Sequence, residues 1–140
     1  MTKMIFVNLP VRDLNAAEAF YTALGGNKNP RFSDDRSRCM MLSDAIGVML
    51  MTHDRYGDFT TRTIGDAREK SYALLALSVD SRNGVGETLA KVTAAGGRAD
   101  PTPPQDHGFM LSRSAEDPDG NIWEIMWMDP AVAAGDGPVG

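Results

Sequence analysis

The chain repeats one pattern of segments, and this duplication limits the folds open to it. The segment D-A-I-G-V-M-L-M at residues 44–51 aligns with D-P-D-G-N-I-W-E at residues 117–124, which places Gly47 on Gly120. Each copy is preceded by an apolar segment and by a helix-like segment that ends at a pair of glycines. Tandem repeats of this kind fold as similar units that pack against each other. The sequence therefore predicts two half-units with a small-molecule cleft between them.

The size and composition are those of one globular domain. The 140 residues are 42% hydrophobic and 24% charged, which is ordinary for a chain that buries a single core. The net charge of −5, without a basic cluster, argues against nucleic acid as a partner. No apolar run is long enough to span a bilayer and no signal-like leader is present, so we expect no membrane association and a cytoplasmic location. The one cysteine, Cys39, is expected to be a buried, unreactive thiol.

The first half-unit covers residues 1–53 and has the pattern of a strand, a helix and two more strands. Apolar runs predict strands over residues 4–11, 39–42 and 47–53. Asp13 is placed to cap a helix, because the apolar residues that follow it recur at helical spacing.

A polar linker at residues 54–70 joins this half-unit to the second one, residues 71–130. The linker is too long for a simple turn, so a cover over the cleft is one role open to it, and a short helix is expected near its end. The second half-unit again has a strand, a helix and paired strands, and D-P-D-G is a strong hairpin signal. We expect residues 1–130 to form one domain and the small-residue tail, residues 131–140, to be disordered.

Six blocks of the sequence are M-I-F-V-N-L-P-V, F-Y-T-A-L-G-G, V-M-L-M-T-H-D, A-L-S-V-D-S, P-P-Q-D-H-G-F-M and I-W-E-I-M-W-M-D-P. In order and spacing, these blocks resemble the vicinal oxygen chelate superfamily of glyoxalase I, extradiol dioxygenases and bleomycin-resistance proteins. The most similar subgroup is that of predicted lactoylglutathione lyases. The resemblance implies an α+β fold in which two tandem βαβββ modules form one cup-shaped mixed β-sheet with helices on its outer face, and it implies a homodimer.

Members of that superfamily that use a metal take its ligands from the first and last strand of each module. The matching positions here are Phe6, Met51, Leu74 and Glu124, and only Glu124 can bind a metal ion. One carboxylate falls short of the three or more protein ligands of a stable site. We therefore expect no resident cofactor, with a zinc, nickel or iron ion on Glu124 as the less favoured alternative.

Glu124 is the first candidate catalytic residue. Strand alternation places Glu124 and Met126 on one face of the last strand and the tryptophans on the other. A carboxylate beside Phe6, Met51 and Leu74 would be poorly hydrated, which favours its neutral form and suits a general acid or base. The resemblance thus makes Glu124 a proton-transfer group in a mainly apolar cup.

The roles of three titratable residues stay open. Glu124 is alternatively a structural partner of a strand neighbour such as Arg113. His53 is the second catalytic candidate, although an exposed histidine at a strand end is the commoner outcome. His107 is placed at the rim of the cup or in a plain loop. The candidate substrate-binding residues are Phe6, Asn8, Met51, Leu74, His107, Arg113 and Met126.

The sequence favours a small-molecule ligand and leaves three functions to compare. The first is a glyoxalase-I-like lyase or isomerase acting on a small carbonyl or thiol-adduct compound, with Glu124 moving a proton while Asn8 and His53 orient the substrate. The second is a non-catalytic binding protein of the bleomycin-resistance type, in which methionines give an adaptable apolar lining. The third is an extradiol dioxygenase, which needs two histidines and one glutamate on iron, and Phe6 and Leu74 argue against it.

Overall fold

The computed structural model of the chain describes residues 2–135. The first module begins with a strand, continues through a helix and ends with three strands, and a short helix follows it. Asp13 caps the first helix, as predicted, because its carboxylate accepts hydrogen bonds from the backbone N–H groups of Asn15 and Ala16. The elements are β1 (Ile5–Val11), α1 (Leu14–Ala23), β2 (Asn27–Asn29), β3 (Ser37–Met41), β4 (Ile46–Thr52) and α2 (His53–Tyr56).

The second module repeats this order with one additional short edge strand. Ser81 caps its long helix, since its hydroxyl accepts a hydrogen bond from the backbone N–H of Gly84. The proline-rich segment after that helix pairs only through two residues at the sheet edge, as prolines there predict. The elements are β5 (Leu74–Ser78), α3 (Arg82–Ala94), β6 (Arg98–Ala99), β7 (Gln105–Asp106), β8 (Met110–Glu116), β9 (Ile122–Met128) and α4 (Pro130–Ala133).

The strands form two sheets, one in each module. The first sheet has the order β1-β4-β3-β2 and the second the order β5-β9-β8-β6, with β7 also paired to β8. In both modules the first and last strands run parallel and the others antiparallel. The α+β class and the repeated module are confirmed. The single continuous sheet is not found, because β1 and β5, the end strands of their sheets, do not pair with each other in the part of the chain that the structure describes.

One core lies between the helices and one face of each sheet. Phe20 and Tyr21 of α1 are fully buried, and they pack in the same cluster as Leu50 of β4 and Ile125 of β9. Gly97 makes this packing possible, since a Cβ atom there would lie 2.6 Å from Cε2 of Phe20. The face of each sheet that meets this core is called the helix face below, and the opposite face is called the open face.

A buried hydrogen-bonded cluster joins the two modules through Tyr21, Asp117 and Trp123. The Tyr21 hydroxyl donates to Asp117 Oδ2 at 2.5 Å and accepts from Trp123 Nε1 at 3.0 Å. Asp117 also accepts three hydrogen bonds, each 2.9 Å long, from the backbone N–H of Asp119 and from the backbone and side-chain N–H groups of Asn121. Burial, and next the charge of Asp117, raise the pKa of Tyr21 well above its ordinary value. Helix α1 is thereby tied to the β8–β9 turn.

Two expectations about connecting segments are wrong. The end of the linker forms a turn in which the carbonyl of Asp66 accepts hydrogen bonds from the N–H groups of Glu69 and Lys70, and the short helix lies at the linker's start instead. The tail begins with a helix, α4, because Asp129 caps it and Pro130 suits its first turn. Residues 136–140 of the predicted disordered tail lie outside the described residues. No helix within residues 2–135 has the length and apolar character needed to cross a membrane.

Candidate ligand-binding site

The open face of the first sheet carries three of the predicted site residues. Phe6 and Asn8 of β1 lie on this face with Met49 and Met51 of β4, because Asn8 pairs with Met49 in the ladder and side chains alternate between faces. Asn8, Met49 and Met51 line a cavity of about 340 Å³, together with Ser37 and residues of the neighbouring loops. This volume, called the open-face cavity below, is within the size range of small-ligand sites. The structure thus brings Asn8 and Met51 together.

The side chains of Phe6 and Asn8 are positioned by different contacts. The Phe6 ring lies over Gly47, where a Cβ atom would be 2.7 Å from the ring. Glycine at this position therefore allows the aromatic ring to lie flat on the sheet. The Asn8 amide donates to the carbonyl of Phe6 at 3.3 Å, a bond within its own strand, and its side chain is exposed. The side-chain oxygen of Asn8, Oδ1, makes no hydrogen bond within residues 2–135, so it can accept one from a ligand.

The open face of the second sheet carries Leu74, Glu124 and Met126. Glu124 lies between Ala76 of β5 and Ser114 of β8 in the ladder, and it is partly exposed. Its carboxylate makes no hydrogen bond or ion pair with any other residue of the described chain. Trp123 and Ile125, its neighbours along β9, are buried in the core, which confirms the predicted alternation. Glu124 is thus a carboxylate presented to the open side of the protein.

The predicted surroundings of Glu124 are only partly found. Leu74 is on the same face, whereas Phe6 and Met51 belong to the other sheet. The apolar surroundings predicted for Glu124 are thus found on its own sheet for Leu74, while Phe6 and Met51 lie on the open face of the first sheet.

Arg113 lies on the helix face, away from Glu124. It pairs with Ile125 in the ladder, one position from Glu124, so its side chain points to the opposite side of the sheet. Its guanidinium donates to both carboxylate oxygens of Asp100, at 3.1 and 2.6 Å. This bidentate bond is the first cause that lowers the pKa of Asp100 and raises the pKa of Arg113. The predicted Glu124–Arg113 pair and the placement of Arg113 in the site are both wrong.

The two histidines are apart from Glu124 and from each other. His53 begins α2, is exposed, and lines a cavity of about 500 Å³ at the junction of the modules. His107 lies in the loop between β7 and β8 with its ring stacked on Phe109, 6.1 Å between centroids. Glu124 lines neither of the two cavities. One chain therefore does not assemble His53, His107 and Glu124 into one site.

The ladder corrects the sequence alignment of the two modules. Phe6 pairs with Gly47 as Leu74 pairs with Ile122, so Gly47 corresponds to Ile122 and not to Gly120. Glu124 then corresponds to Met49, two residues before Met51. The corrected position is again a methionine, so the number of metal-binding side chains at the four positions stays at one.

The side chains of this chain do not fit the metal that other members of the resembling superfamily hold. Metal ligands are expected at four positions. Three of them hold apolar side chains, Phe6, Met49 and Leu74, and the fourth holds the carboxylate of Glu124. Within residues 2–135, no three His, Cys, Asp or Glu side chains lie close enough together to hold a metal ion. Four positions that hold one carboxylate and three apolar side chains lack the donor set of zinc, nickel or iron.

The sequence interpretation missed the residues that form the junction cavity. Its walls are the end of β1 at Pro10 and Arg12, the segment at residues 56–72, and the β8–β9 turn at Asp119 and Asn121. The D-P-D-G-N motif was interpreted as a turn alone. The sequence feature that could have indicated more is its three Asp and Asn side chains. Such side chains form hydrogen bonds to their own backbone, and their remaining polar atoms can bind other segments.

Solved structures with the same fold are found at low sequence identity. A glyoxalase-related enzyme from Fulvimarina pelagi has 21% identity and a TM-score of 0.75, with 91% of this chain and 88% of that chain covered. A glyoxalase/bleomycin resistance protein/dioxygenase family enzyme from Burkholderia phytofirmans has 21% identity and a TM-score of 0.72, covering 91% and 99%. The fosfomycin resistance protein FosX from Listeria monocytogenes has 19% identity and a TM-score of 0.64, covering 91% and 93%. These similarities establish the fold.

A search of curated proteins found no significant match. The family model named Glyoxalase/Bleomycin resistance protein/Dioxygenase superfamily matches residues 3–125, which include the first module and the second module as far as Ile125 of β9. The match, the repeated βαβββ order and the structural neighbours agree, and the chain belongs to the glyoxalase/bleomycin resistance protein/dioxygenase superfamily.

Proposed function

We propose that this protein binds a small, mainly apolar molecule on its open faces without holding a catalytic metal. The observation that carries the proposal is the chemistry of the four positions where relatives hold a metal: Phe6, Met49 and Leu74 are apolar and Glu124 is the single acid. Methionine side chains adapt to ligands of different shape. A binding protein that sequesters its ligand needs only such a lining and a few polar groups.

We also propose that the working protein is a homodimer in which a second copy covers the open faces. Within residues 2–135, seven large apolar side chains are strongly exposed, and five of them lie on or just before the two end strands. Phe6 is 45% exposed, and Leu74 is 60% exposed. Burying such a side chain contributes about 1.5–3 kcal/mol, and exposed apolar edge strands otherwise invite aggregation. The five residues are Met4, Ile5, Phe6, Tyr72 and Leu74, of which Phe6 and Leu74 lie on the open faces.

Dimerisation would also bring together the parts that one chain keeps separate. In the proposed dimer, the first sheet of one copy faces the second sheet of the other. The apolar wall of Phe6 and Met49 then lies opposite Glu124 of the partner copy, and two-fold symmetry produces two equal sites.

A second candidate function is a glyoxalase-I-like lyase or isomerase of the lactoylglutathione lyase kind. The observation in its favour is the Glu124 carboxylate, which lies on the open face with no partner within residues 2–135. Such a group can take a proton from the carbon beside a carbonyl and return it to the neighbouring carbon. Asn8 would accept a hydrogen bond from the substrate. Its weakness is that none of the four matched positions, Phe6, Met49, Leu74 and Glu124, holds a cation to stabilise the enediolate oxygen, and the arginines of the open-face cavity, Arg31 and Arg55, come from its loops and from α2.

The extradiol dioxygenase alternative finds no support in the side chains. It needs two histidines and one carboxylate on one iron ion. His53 and His107 lie in different regions, and neither lies beside Glu124 in the ladder. We therefore do not propose it.

The decisive experiment measures binding and turnover on the same protein. Indole serves as a neutral apolar probe, followed through the methyl NMR signals of Met49 and Met51, and turnover is followed as thioester formation from methylglyoxal and glutathione. We expect indole to shift both methyl signals without thioester formation. The Met49→Arg variant should lose binding, whereas Ala90→Arg, a matched charge on an exposed turn of α3, should retain it.

Each other result contradicts a named part of the proposal. Thioester formation that disappears in Glu124→Gln, with indole binding retained, would establish the lyase in place of the binding protein. Neither binding nor turnover would overturn both functions. Sedimentation tests the dimer: we expect Leu74→Arg to be monomeric and Ala90→Arg to remain dimeric, and a monomeric wild-type protein would overturn the homodimer.

A further inference from the structure

The junction cavity, the space of about 500 Å³ at the junction of the modules, shares no lining residue with the open-face cavity. It lies between the end of β1, the segment at residues 56–72 and the β8–β9 turn. Its volume is in the range of small-molecule sites. Neither Glu124 nor Met49 lines it, so a ligand here would not be the ligand of the open faces.

Arg12 joins the three walls of this cavity. Its guanidinium lies 3.3 Å from Asp66 Oδ1 on the linker and 3.2 Å from Asp119 Oδ1 on the turn. The backbone N–H of Arg12 also donates to Asp119 at 3.0 Å. Asp119 is nearly buried, and burial, the largest effect, raises its pKa although Arg12 opposes this. Both carboxylates in the cavity wall therefore already have a cationic partner.

The remaining charged groups of the cavity are cations. Arg62 and Lys70 line it from exposed positions, and neither forms an ion pair with any residue in the described part of the chain. With Arg12, the wall holds three permanent cations against the two carboxylates, in a protein whose net charge is −5. Unmatched cations in a small cavity attract an anion. A monoanion neutralises this surplus of one positive charge, whereas a dianion would give the cavity an excess of negative charge beside Asp66 and Asp119.

The rest of the lining is suited to an apolar or aromatic body. Pro10, Tyr56, Ile64 and Tyr72 contribute apolar surface. The Tyr72 hydroxyl donates to Asn121 Oδ1 at 2.8 Å, which fixes the ring at the cavity wall. Aromatic rings offer a ligand ring a large contact area in defined geometries.

We propose that the junction cavity binds a small aromatic monocarboxylate. The carboxylate lies at Arg62 and Lys70, and the ring lies between Ile64 and the two tyrosines. This site is independent of whether the open faces bind or convert their own ligand.

Phenylacetate is the probe for this site, with its neutral amide and phenyl phosphate as comparisons, all on the full chain. The methyl NMR signals of Ile64 report the junction cavity, and those of Met49 report the open-face cavity. We expect phenylacetate to shift Ile64 and to leave Met49 unchanged. The amide should bind about tenfold more weakly, since it lacks the charge.

Matched variants separate a built site from general attraction to cations. Arg62→Gln with Lys70→Gln should weaken phenylacetate binding by about tenfold or more. Lys3→Gln with Lys91→Gln removes the same charge from exposed positions outside the cavity and should leave affinity unchanged. The proposal is overturned by an unshifted Ile64, by equal binding of the amide, or by equal loss in both double variants. Tighter binding of phenyl phosphate would overturn the assignment to a monoanion.

Discussion

The two modules have the same pattern of strand pairing but present different side chains on their open faces. The first offers Phe6, Asn8 and Met49 beside a cavity, whereas the second offers Leu74 and a Glu124 carboxylate. Equivalent ladder positions hold Met49 in one module and Glu124 in the other. The repeat therefore preserves the backbone and not the site, and a complete site needs one face of each kind.

The hairpin turns of the two modules differ in the same way. In the β3–β4 turn, the Ser43 hydroxyl accepts hydrogen bonds from the N–H groups of Ala45 and Ile46, both at 3.1 Å, and Asp44 is exposed. In the β8–β9 turn, the buried Asp117 carboxylate accepts hydrogen bonds from the N–H groups of Asp119 and Asn121. It also accepts one from the hydroxyl of Tyr21 in the first module. Only the second turn contributes to holding the modules together.

The largest expected effect comes from breaking the buried turn. Asp117→Ala removes an acceptor that serves four hydrogen bonds and leaves buried N–H and O–H donors without a partner. We expect the free energy of unfolding, measured by urea titration, to fall by about 3 kcal/mol or more. Asp44→Ala, in the exposed turn of the first module, should change it by less than about 0.5 kcal/mol. Equal effects would mean that the turns are equivalent after all.

A smaller effect is expected from two tyrosines that both donate to the β8–β9 turn. Tyr21→Phe keeps the buried ring but removes the hydroxyl between Asp117 and Trp123, so we expect a loss of about 1.5 kcal/mol. Tyr72→Phe removes the hydrogen bond to Asn121 from a residue that is 66% exposed, and its loss should be below about 0.5 kcal/mol. Thermal unfolding of both variants checks the order, and a larger loss in Tyr72→Phe would refute it.

The smallest expected effect concerns the pair on the helix face of the second module. Arg113 lowers the pKa of Asp100 from its ordinary value near 3.9, so this pair stabilises the fold above about pH 4 and the contribution is lost as pH falls through the lowered pKa. The contribution should not exceed about 1 kcal/mol, because both side chains are partly exposed. Unfolding at pH 6 and pH 3 should show a smaller acid-induced loss in Arg113→Gln than in wild type. Arg31→Gln, outside this pair, should behave like wild type, and identical pH dependence in all three proteins would contradict the assignment.

The sequence was sufficient for much of the fold because the relevant signals are local. Alternation along β9 correctly separated Glu124 from Trp123, and Asp13 correctly marked the start of α1. The offset between modules was two residues wrong, since the alignment matched Gly47 to Gly120. One glycine lies under the Phe6 ring in a strand, while the other has φ 98° in a turn. Glycine thus served two physical needs that a letter-by-letter match cannot separate.

The site was less predictable because it depends on which segments meet. Asn8 and Met51 were correctly placed on one face, since both follow from strand alternation. His53 and Arg113 were not placed correctly. His53 lies just after a strand, where alternation no longer sets the direction of a side chain. Arg113 lies one position along its strand from the partner of Glu124, and a shift of one position places a side chain on the opposite face. The junction cavity depends on residues 56–72, a segment without regular periodicity, so its walls could not be inferred from pattern.

The cluster of Tyr21, Asp117 and Trp123 has a consequence for the speed of ligand exchange. Because it ties α1 to the β8–β9 turn through buried hydrogen bonds, the two sheets of one chain cannot swing apart as a hinge without breaking several of them at once. Within one chain, the motions left for capture and release at the open faces are rotamer changes of methionines and loop motion, which occur in nanoseconds to microseconds, rather than millisecond opening between the modules. The entry rate of a ligand should therefore approach the limit set by diffusion and orientation, and affinity should be controlled by the exit rate.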